Sequence, residues 1–223
     1  MITYLDGFVK LAFRLNKSAT NDYGNIDKDV ATEVINKAIN DLVRRSISGK
    51  NQTREGAEET RLRVDDLQVL LKTRKLSLSK AEIFSDSAKL PKDYRYFNRF
   101  SFFITNKCKD NILIPSDLRE ESNVDILLTN DETKPSLKFE QSFHTIINNS
   151  IRLYHNNEFN PIEGTLTYFK SPKLYEANSP DEVFEFKDDI VEVIIDEAAK
   201  ILAGDTESSN QYQILQTAVE QRI

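Results

Sequence analysis

The sequence contains no tryptophan, one cysteine (Cys108) and two histidines (His144 and His155) in 223 residues. A lone thiol cannot close an intramolecular disulfide, so a stapled secreted scaffold is excluded and folding in a reducing cytoplasm is expected. With no HExxH or CxxC spacing, zinc has no ligand set, and no cofactor is expected. Each histidine reads as an ordinary polar residue on or near a strand. Cys108 lies between Lys107 and Lys109, neighbours that lower a thiol pKa, but a structural cysteine at a strand end is the simpler reading. The six glycines are scattered, with no GxGxxG or GxxxxGK[ST] run, so no phosphate-cradling loop is expected. Nucleophilic triad chemistry also lacks a GxSxG or Cys–His signature.

Basic residues are in deficit. Lys and Arg number 30 against 36 Asp and Glu, a formal charge of −6. A general phosphate-backbone binder needs the opposite balance to release counterions, so adhesion to nucleic acid is disfavoured over the chain as a whole. No uncharged apolar run reaches the roughly eighteen residues of a membrane span, and no membrane partner is expected. Residues 1–6 have neither a basic segment nor an apolar run, so no secretory signal is expected.

What is present suits an ordinary globular protein. Apolar residues make up 39 % and charged residues 30 %, enough core for one large domain or two small ones. Leu5, Phe8, Val9, Ala12 and Phe13 form an apolar stripe that predicts a first helix over 3–15. Asp27 is placed to cap a second helix, in which Val30, Val34, Ala38 and Leu42 run beside Ile35, Ile39 and Val43. A third helix is expected over Ala57–Arg74, with Leu62, Leu67, Leu70 and Leu71 inward. The middle of the chain alternates as strands do. Leu76 and Leu78 alternate with serines, and Phe100, Phe102 and Ile104 with Arg99, Ser101 and Phe103. Ile151, Leu153 and His155 form another such set, as do Leu166 and Tyr168. Residues 117–129 suggest a short helix, and NNEFNPIEG a long hairpin loop. Ser179-Pro180-Asp181-Glu182 reads as a helix start, with the helix running to Leu202 and closing at Gly204. Its two apolar stripes suggest burial on two sides. A polar break and a weaker amphipathic segment, 209–222, follow.

The expected fold class is α+β. N- and C-terminal helices would form a helical bundle around a central antiparallel β-strand block. The divisions are 1–75 helical, 76–175 β-rich, 176–204 the long helix completing the bundle, and 205–223 a C-terminal arm.

Paired carboxylates offer the main route to catalysis. Asp65-Asp66 lie on one expected helix. Asp188, Asp189 and Glu192 on another would serve as Mg²⁺ ligands in a nuclease. Yet Glu185, Asp189, Glu192 and Asp196 step by four, three and four, which is the pattern of a solvated helix face. The run Lys89–Arg99 interleaves Lys92, Arg95 and Arg99 with Tyr94, Tyr96 and Phe97. Such interleaving grips single strands, but burial of a strand face explains the aromatics more simply.

Four segments carry a resemblance: Thr60-Arg61-Leu62-Arg63-Val64-Asp65-Asp66-Leu67, Leu90-Pro91-Lys92-Asp93-Tyr94, Leu166-Thr167-Tyr168-Phe169-Lys170-Ser171-Pro172, and the acidic 181–203 stretch. In this order the chain resembles the neck ring proteins of crAss-like bacteriophages, and shares an architecture with adaptor and gatekeeper proteins of short-tailed phages. The resemblance covers residue 57 onward and has no catalytic motif. It implies a non-enzymatic virion protein made in the host bacterial cytoplasm. Such a protein is a subunit of a homo-oligomeric, dodecameric ring in the head-to-tail connector. Its partners would be the portal and other connector or tail proteins, with genomic DNA passing through without sequence-specific binding. Under that reading Tyr212, Ile214, Leu215 and Val219 are subunit-interface candidates, and packing on their own domain is the alternative. Glu185, Asp189, Glu192 and Asp196 become candidate channel-lining acids, where like charge keeps DNA from sticking. The competing classes are a helical protein–protein interaction or regulatory module and the Mg²⁺-dependent nuclease.

Overall fold

The computed structural model describes residues 1–18, 26–48, 67–82, 84–106, 109–155 and 160–205. In chain order the elements begin with α1 (Tyr4–Ser18), α2 (Lys28–Ser48) and a 3-10 turn (Gln68–Leu70). There follow β1 (Leu71–Ser77), β2 (Ser79–Glu82), β3 (Ser85–Lys89), β4 (Tyr94–Asn106) and β5 (Lys109–Leu118). A second 3-10 turn (Glu121–Asn123) runs into α3 (Val124–Thr129), then β6 (Ser142–Ile147), β7 (Ser150–Tyr154), β8 (Asn160–Lys170) and α4 (Asp188–Asp205). The chain forms two compact units, one of Met1–Val69 with Pro172–Ile223 and one of Leu70–Ser171.

In the first unit, local chemistry starts each helix. Thr3 and Asp6 form a capping box: the Asp6 N–H donates to Thr3 Oγ1 at 3.2 Å and the Thr3 N–H to Asp6 Oδ2 at 3.1 Å. Asp27 caps α2 as its position predicts, accepting the Asp29 N–H at 3.1 Å. The helices bury Leu11 and Leu15 of α1, Ile35, Ala38, Ile39 and Val43 of α2, and Val191, Ile194, Ile195, Ala198 and Ala199 of α4. Around their ends Tyr4 stacks on Tyr175 at 5.8 Å between ring centroids, and Phe184 packs against both. The Asn36 amide holds Tyr175 at two points, donating to its carbonyl and accepting its N–H, each at 3.0 Å.

The last helix begins later than Ser179-Pro180 predicts. The Tyr4 N–H donates to the Glu182 carbonyl at 2.7 Å and the Phe184 N–H to the Ile2 carbonyl at 3.1 Å. Residues 182–184 thus pair with the N-terminal strand-like stretch, and the helix forms only from Asp188. Phe186 is buried as its place in the stripe suggested, but from the loop.

The second unit corrects the expected fold class. In place of a helical bundle around a small strand block, it is an eight-stranded, curled, mixed sheet in the order β1-β8-β4-β5-β6-β7-β3-β2. All pairings are antiparallel except β5 with β6. The two edge strands, β1 and β2, are consecutive in the chain with only Leu78 between them. One residue spans about 3.5 Å, so the opposite edges meet at that corner and the sheet must curl. Curling gives the sheet a core of its own: Leu76, Ala88, Phe100, Phe102, Ile104, Ile114, Ile151, Leu153, Leu166 and Tyr168 pack together. That is why no helical bundle is needed to cover it.

Two further expectations change. Of the helix over Ala57–Arg74, residues 57–66 lie outside the described residues. Leu71–Ser77 instead pairs with β8, from Leu71 opposite Phe169 to Ser77 opposite Glu163. Long-range pairing overrides local helix propensity there. Within NNEFNPIEG, Asn160 onward belongs to β8 rather than to a loop. Gly164 faces the Phe100 ring, where a Cβ would stand 2.6 Å from Cε2 and Cζ. The glycine marks a close approach, not a turn. The short helix expected over 117–129 is confined to α3, and residues 117 and 118 end β5.

Candidate interaction surface

The sheet unit first explains why two of the resemblance segments lie where they do. Asp93, in the Leu90–Tyr94 turn, accepts the Tyr168 hydroxyl at 2.8 Å and the Lys72 ammonium at 2.7 Å. Its backbone carbonyl accepts the Ser171 N–H at 2.8 Å. The turn and the 166–172 strand are therefore fastened to one another. Lys72 and then Tyr168 hold the Asp93 carboxyl below its usual range, while burial and then Asp93 push the Tyr168 hydroxyl up to about 12. The basic run Lys89–Arg99 lies along this turn and β4. Tyr94 and Phe97 pack against the core, although strict alternation would part them, because β4 shifts register between Tyr94 and Tyr96 and between Phe97 and Arg99; the Arg95 guanidinium stands over the Tyr96 ring at 5.5 Å.

The histidines are structural. His144 is fully buried on β6 between Phe97 and Phe100, at 5.0 and 5.1 Å between ring centroids. Its Nδ1 shares a 2.9 Å hydrogen bond with Ser116 Oγ, while Nε2 has no hydrogen-bond partner. Burial lowers its pKa to about 4, so the ring is neutral at pH 7. His155 lies 3.7 Å from Asp86, and burial outweighs that carboxylate to lower its pKa as well.

The acidic stripe does not form one solvated face. Glu185 precedes α4, and its carboxylate accepts the Lys173 N–H at 3.2 Å. Asp189 is exposed in the first turn of α4. Glu192 pairs with Lys10 and Arg14, and Asp196, its side chain only 5 % exposed, takes the Arg14 Nε at 2.8 Å. Burial pushes the Glu192 carboxyl up, but Lys10 and Arg14 prevail and hold it below its usual range. Asp188 accepts the Ile2 N–H at 2.9 Å and pairs with the Met1 ammonium. Of the three carboxylates named for Mg²⁺, Asp188 and Glu192 are thus engaged by cations and an amide of the chain itself, and Asp189 faces solvent. Among the described residues no three His, Cys, Asp or Glu side chains are grouped to hold a metal ion. Asp65 and Asp66, Cys108, and the interface candidates Tyr212, Ile214, Leu215 and Val219 lie outside the described residues.

The feature that sequence reasoning missed is on α1. The helix buries Tyr4, Gly7, Leu11 and Leu15, and leaves Leu5 (45 %), Val9 (58 %) and Phe13 (66 %) exposed at four-residue steps. The stripe that announced the helix is largely its outer face. Gly7 was the available signal: Phe184 Cε2 stands 2.8 Å from where its Cβ would be, so the tight side of the helix is the one bearing the glycine. The sheet unit also leaves Leu118, Ile126 and Phe139 exposed. Beside α3 it has a cleft of about 390 Å³ lined by Glu82, Phe84, Ser85, Leu128 and Tyr154. Among the described residues no helix is long and apolar enough to cross a membrane. No protein-family model matches the chain, and no curated protein matches it.

Proposed function

We propose that this chain is a ring subunit of the head-to-tail connector of a tailed bacteriophage, joining the portal to the tail and forming part of the DNA channel. The observation that carries the reading is apolar surface left uncovered on both compact units. Leu5, Val9 and Phe13 line one side of α1, and Ile126, Phe139 and Leu118 stand out from the sheet unit. A subunit that closes a ring and stacks between other rings needs several separate docking surfaces, and a rotational repeat closes such head-to-tail contacts. The distribution of charge is in keeping with a channel. Residues 172–223 carry 12 Asp and Glu against 4 Lys and Arg, whereas the rest of the chain is nearly balanced. With Glu192 and Asp196 engaged by α1, the exposed acids of that segment among the described residues are Glu176, Asp181, Asp188 and Asp189, and these would repel DNA.

Negative-stain electron microscopy of the purified chain, alone and mixed with a portal assembly from the same virion, tests the proposal. Annular particles or rings seated on the portal are expected. Separate small particles in both samples would contradict it. A regulatory module using the same surfaces would give a monomer or dimer bound to a different protein.

A further inference from the structure

Strand register explains why the sheet unit has a cleft beside α3. Phe143, Tyr154, Ser85 and Glu82 stand opposite one another in one row across β6, β7, β3 and β2. Directly paired residues point to the same face, and Ile151 and Leu153, of the other parity, belong to the sheet's main core. The row therefore lies on the outer face. Phe143 stacks on Tyr154 at 5.0 Å between ring centroids, and Val124, Leu127 and Leu128 of α3 pack over the pair. The next side chain in the row is the smallest of the four. The layer drops at Ser85, and Phe84 and Leu128 wall the resulting cleft of about 390 Å³.

Ser85 is only 1 % exposed, and its Oγ has no hydrogen-bond partner. A buried hydroxyl left unpaired is costly, and an occupant that brings a polar atom to it removes the cost. The geometry points to a binding site for one aromatic side chain that carries a neutral hydrogen-bonding group: a tyrosine projecting from a partner protein. The inference holds whether or not the chain closes a ring.

Each part of that description has its own support. Two of the walls are aromatic rings, Phe84 and Tyr154, which favour a flat apolar guest. The volume is at the small end for a ligand pocket and suits one ring with its polar tip. Beside it, Arg152 pairs with Glu82 at 3.2 Å and with Glu121 at 3.7 Å, and the Tyr154 hydroxyl donates to Glu121 at 3.3 Å. Two carboxylates share one guanidinium there, so an anionic guest is repelled and the polar group is neutral. The mouth is open, with Phe84 44 % exposed and the Glu82 side chain 62 % exposed, so a ring can enter while attached to a main chain. Among the described residues no strand pairs with the far side of β2, which leaves backbone groups beside the cleft for that main chain to meet.

Saturation-transfer NMR on the full chain tests the site with three probes: p-cresol (the tyrosine side chain alone), toluene, and an end-blocked Gly-Tyr-Gly tripeptide. The protein should bind p-cresol more tightly than toluene, and the tripeptide at least as tightly as p-cresol. Ser85→Ala removes the hydroxyl and should weaken p-cresol roughly three- to tenfold while leaving toluene unchanged. Ser85→Val fills the floor and should abolish binding of all three. Leu128→Trp fills the cleft from the opposite wall and gives the same readout if Ser85→Val does not fold, as judged by circular dichroism. Binding of p-cresol that survives in a folded cleft-filling variant would overturn the site. Equal affinity for p-cresol and toluene, or no effect of Ser85→Ala, would overturn the hydrogen bond and with it the ligand class. Binding of p-cresol without the tripeptide would overturn the protein partner in favour of a free phenol. None of these outcomes bears on ring formation, which mass measurement reads separately.

Discussion

Replacing His144 with Asn tests the account of the sheet core through pH. The ring nitrogen that meets Ser116 is mimicked by the Asn amide, while the titratable group is lost. In the unfolded chain the imidazole takes a proton near pH 6.5, but in the core only near pH 4. Between those values the unfolded state binds more protons, so stability falls as pH falls, and the loss is complete once pH has passed the folded value. At about 1.36 kcal/mol per pH unit, a gap of roughly 2.5 units amounts to about 3 kcal/mol over the full window. Between pH 7 and pH 5 it amounts to about 2 kcal/mol. Urea unfolding at both pH values, followed by far-UV circular dichroism and tyrosine fluorescence, reads the change; the chain has eight tyrosines and no tryptophan. The Asn variant will be less stable than the parent at pH 7, because the cavity beside Phe97 and Phe100 is not refilled. It will lose about 2 kcal/mol less than the parent on going to pH 5. The carboxylates and His155 titrate in both proteins, so they cancel in this difference. Equal losses in the two proteins would refute the placement of His144 as a neutral core group.

Two further substitutions probe the two units separately. Arg14→Met removes the guanidinium from the buried Asp196 carboxylate and is expected to cost roughly 3–5 kcal/mol of unfolding free energy, whereas adding Asp196→Leu recovers most of it. Chemical denaturation of both variants checks this, and equal losses would show that the pair is not buried as described. Gly164→Ala drives a methyl into the Phe100 ring and should cost about 1–3 kcal/mol, with partial recovery when Phe100→Leu is added. A thermal scan of the single and double variants decides it, and a neutral Gly164→Ala would refute the close approach.

Local signals were legible in the sequence where they acted locally. Asp27 and the four-residue steps of α2 gave that helix, and the alternation of Phe100, Phe102 and Ile104 gave the inner face of β4. What was not legible depends on distant partners. β1 pairs with β8 some ninety residues away, so Lys72-Thr73-Arg74 looked helical until Tyr168, Thr167 and Leu166 stood opposite. The Ser179-Pro180 signal was overridden by the pairing of Glu182 and Phe184 with residues 2–4. On α1 both the Leu5–Phe13 stripe and the Tyr4–Leu15 stripe are apolar, and periodicity alone does not say which one turns inward. The acidic residues of α4 carried the pattern of a wet surface, and only the arginine and lysine of α1 reveal that Glu192 and Asp196 are engaged. None of the site residues named from the sequence lies on the uncovered face of α1; Gly7, on the opposite side, was the signal that told the two faces apart.

Native mass measurement of the full-length chain across a range of concentrations tests the central claim most directly. A discrete closed oligomer of many copies is the predicted result, weakened when Val9→Asp and Phe13→Asp place charge on the exposed side of α1. A single-copy mass at every concentration, unchanged by those substitutions and with no uptake into a portal complex, would contradict the assignment of this chain to a ring.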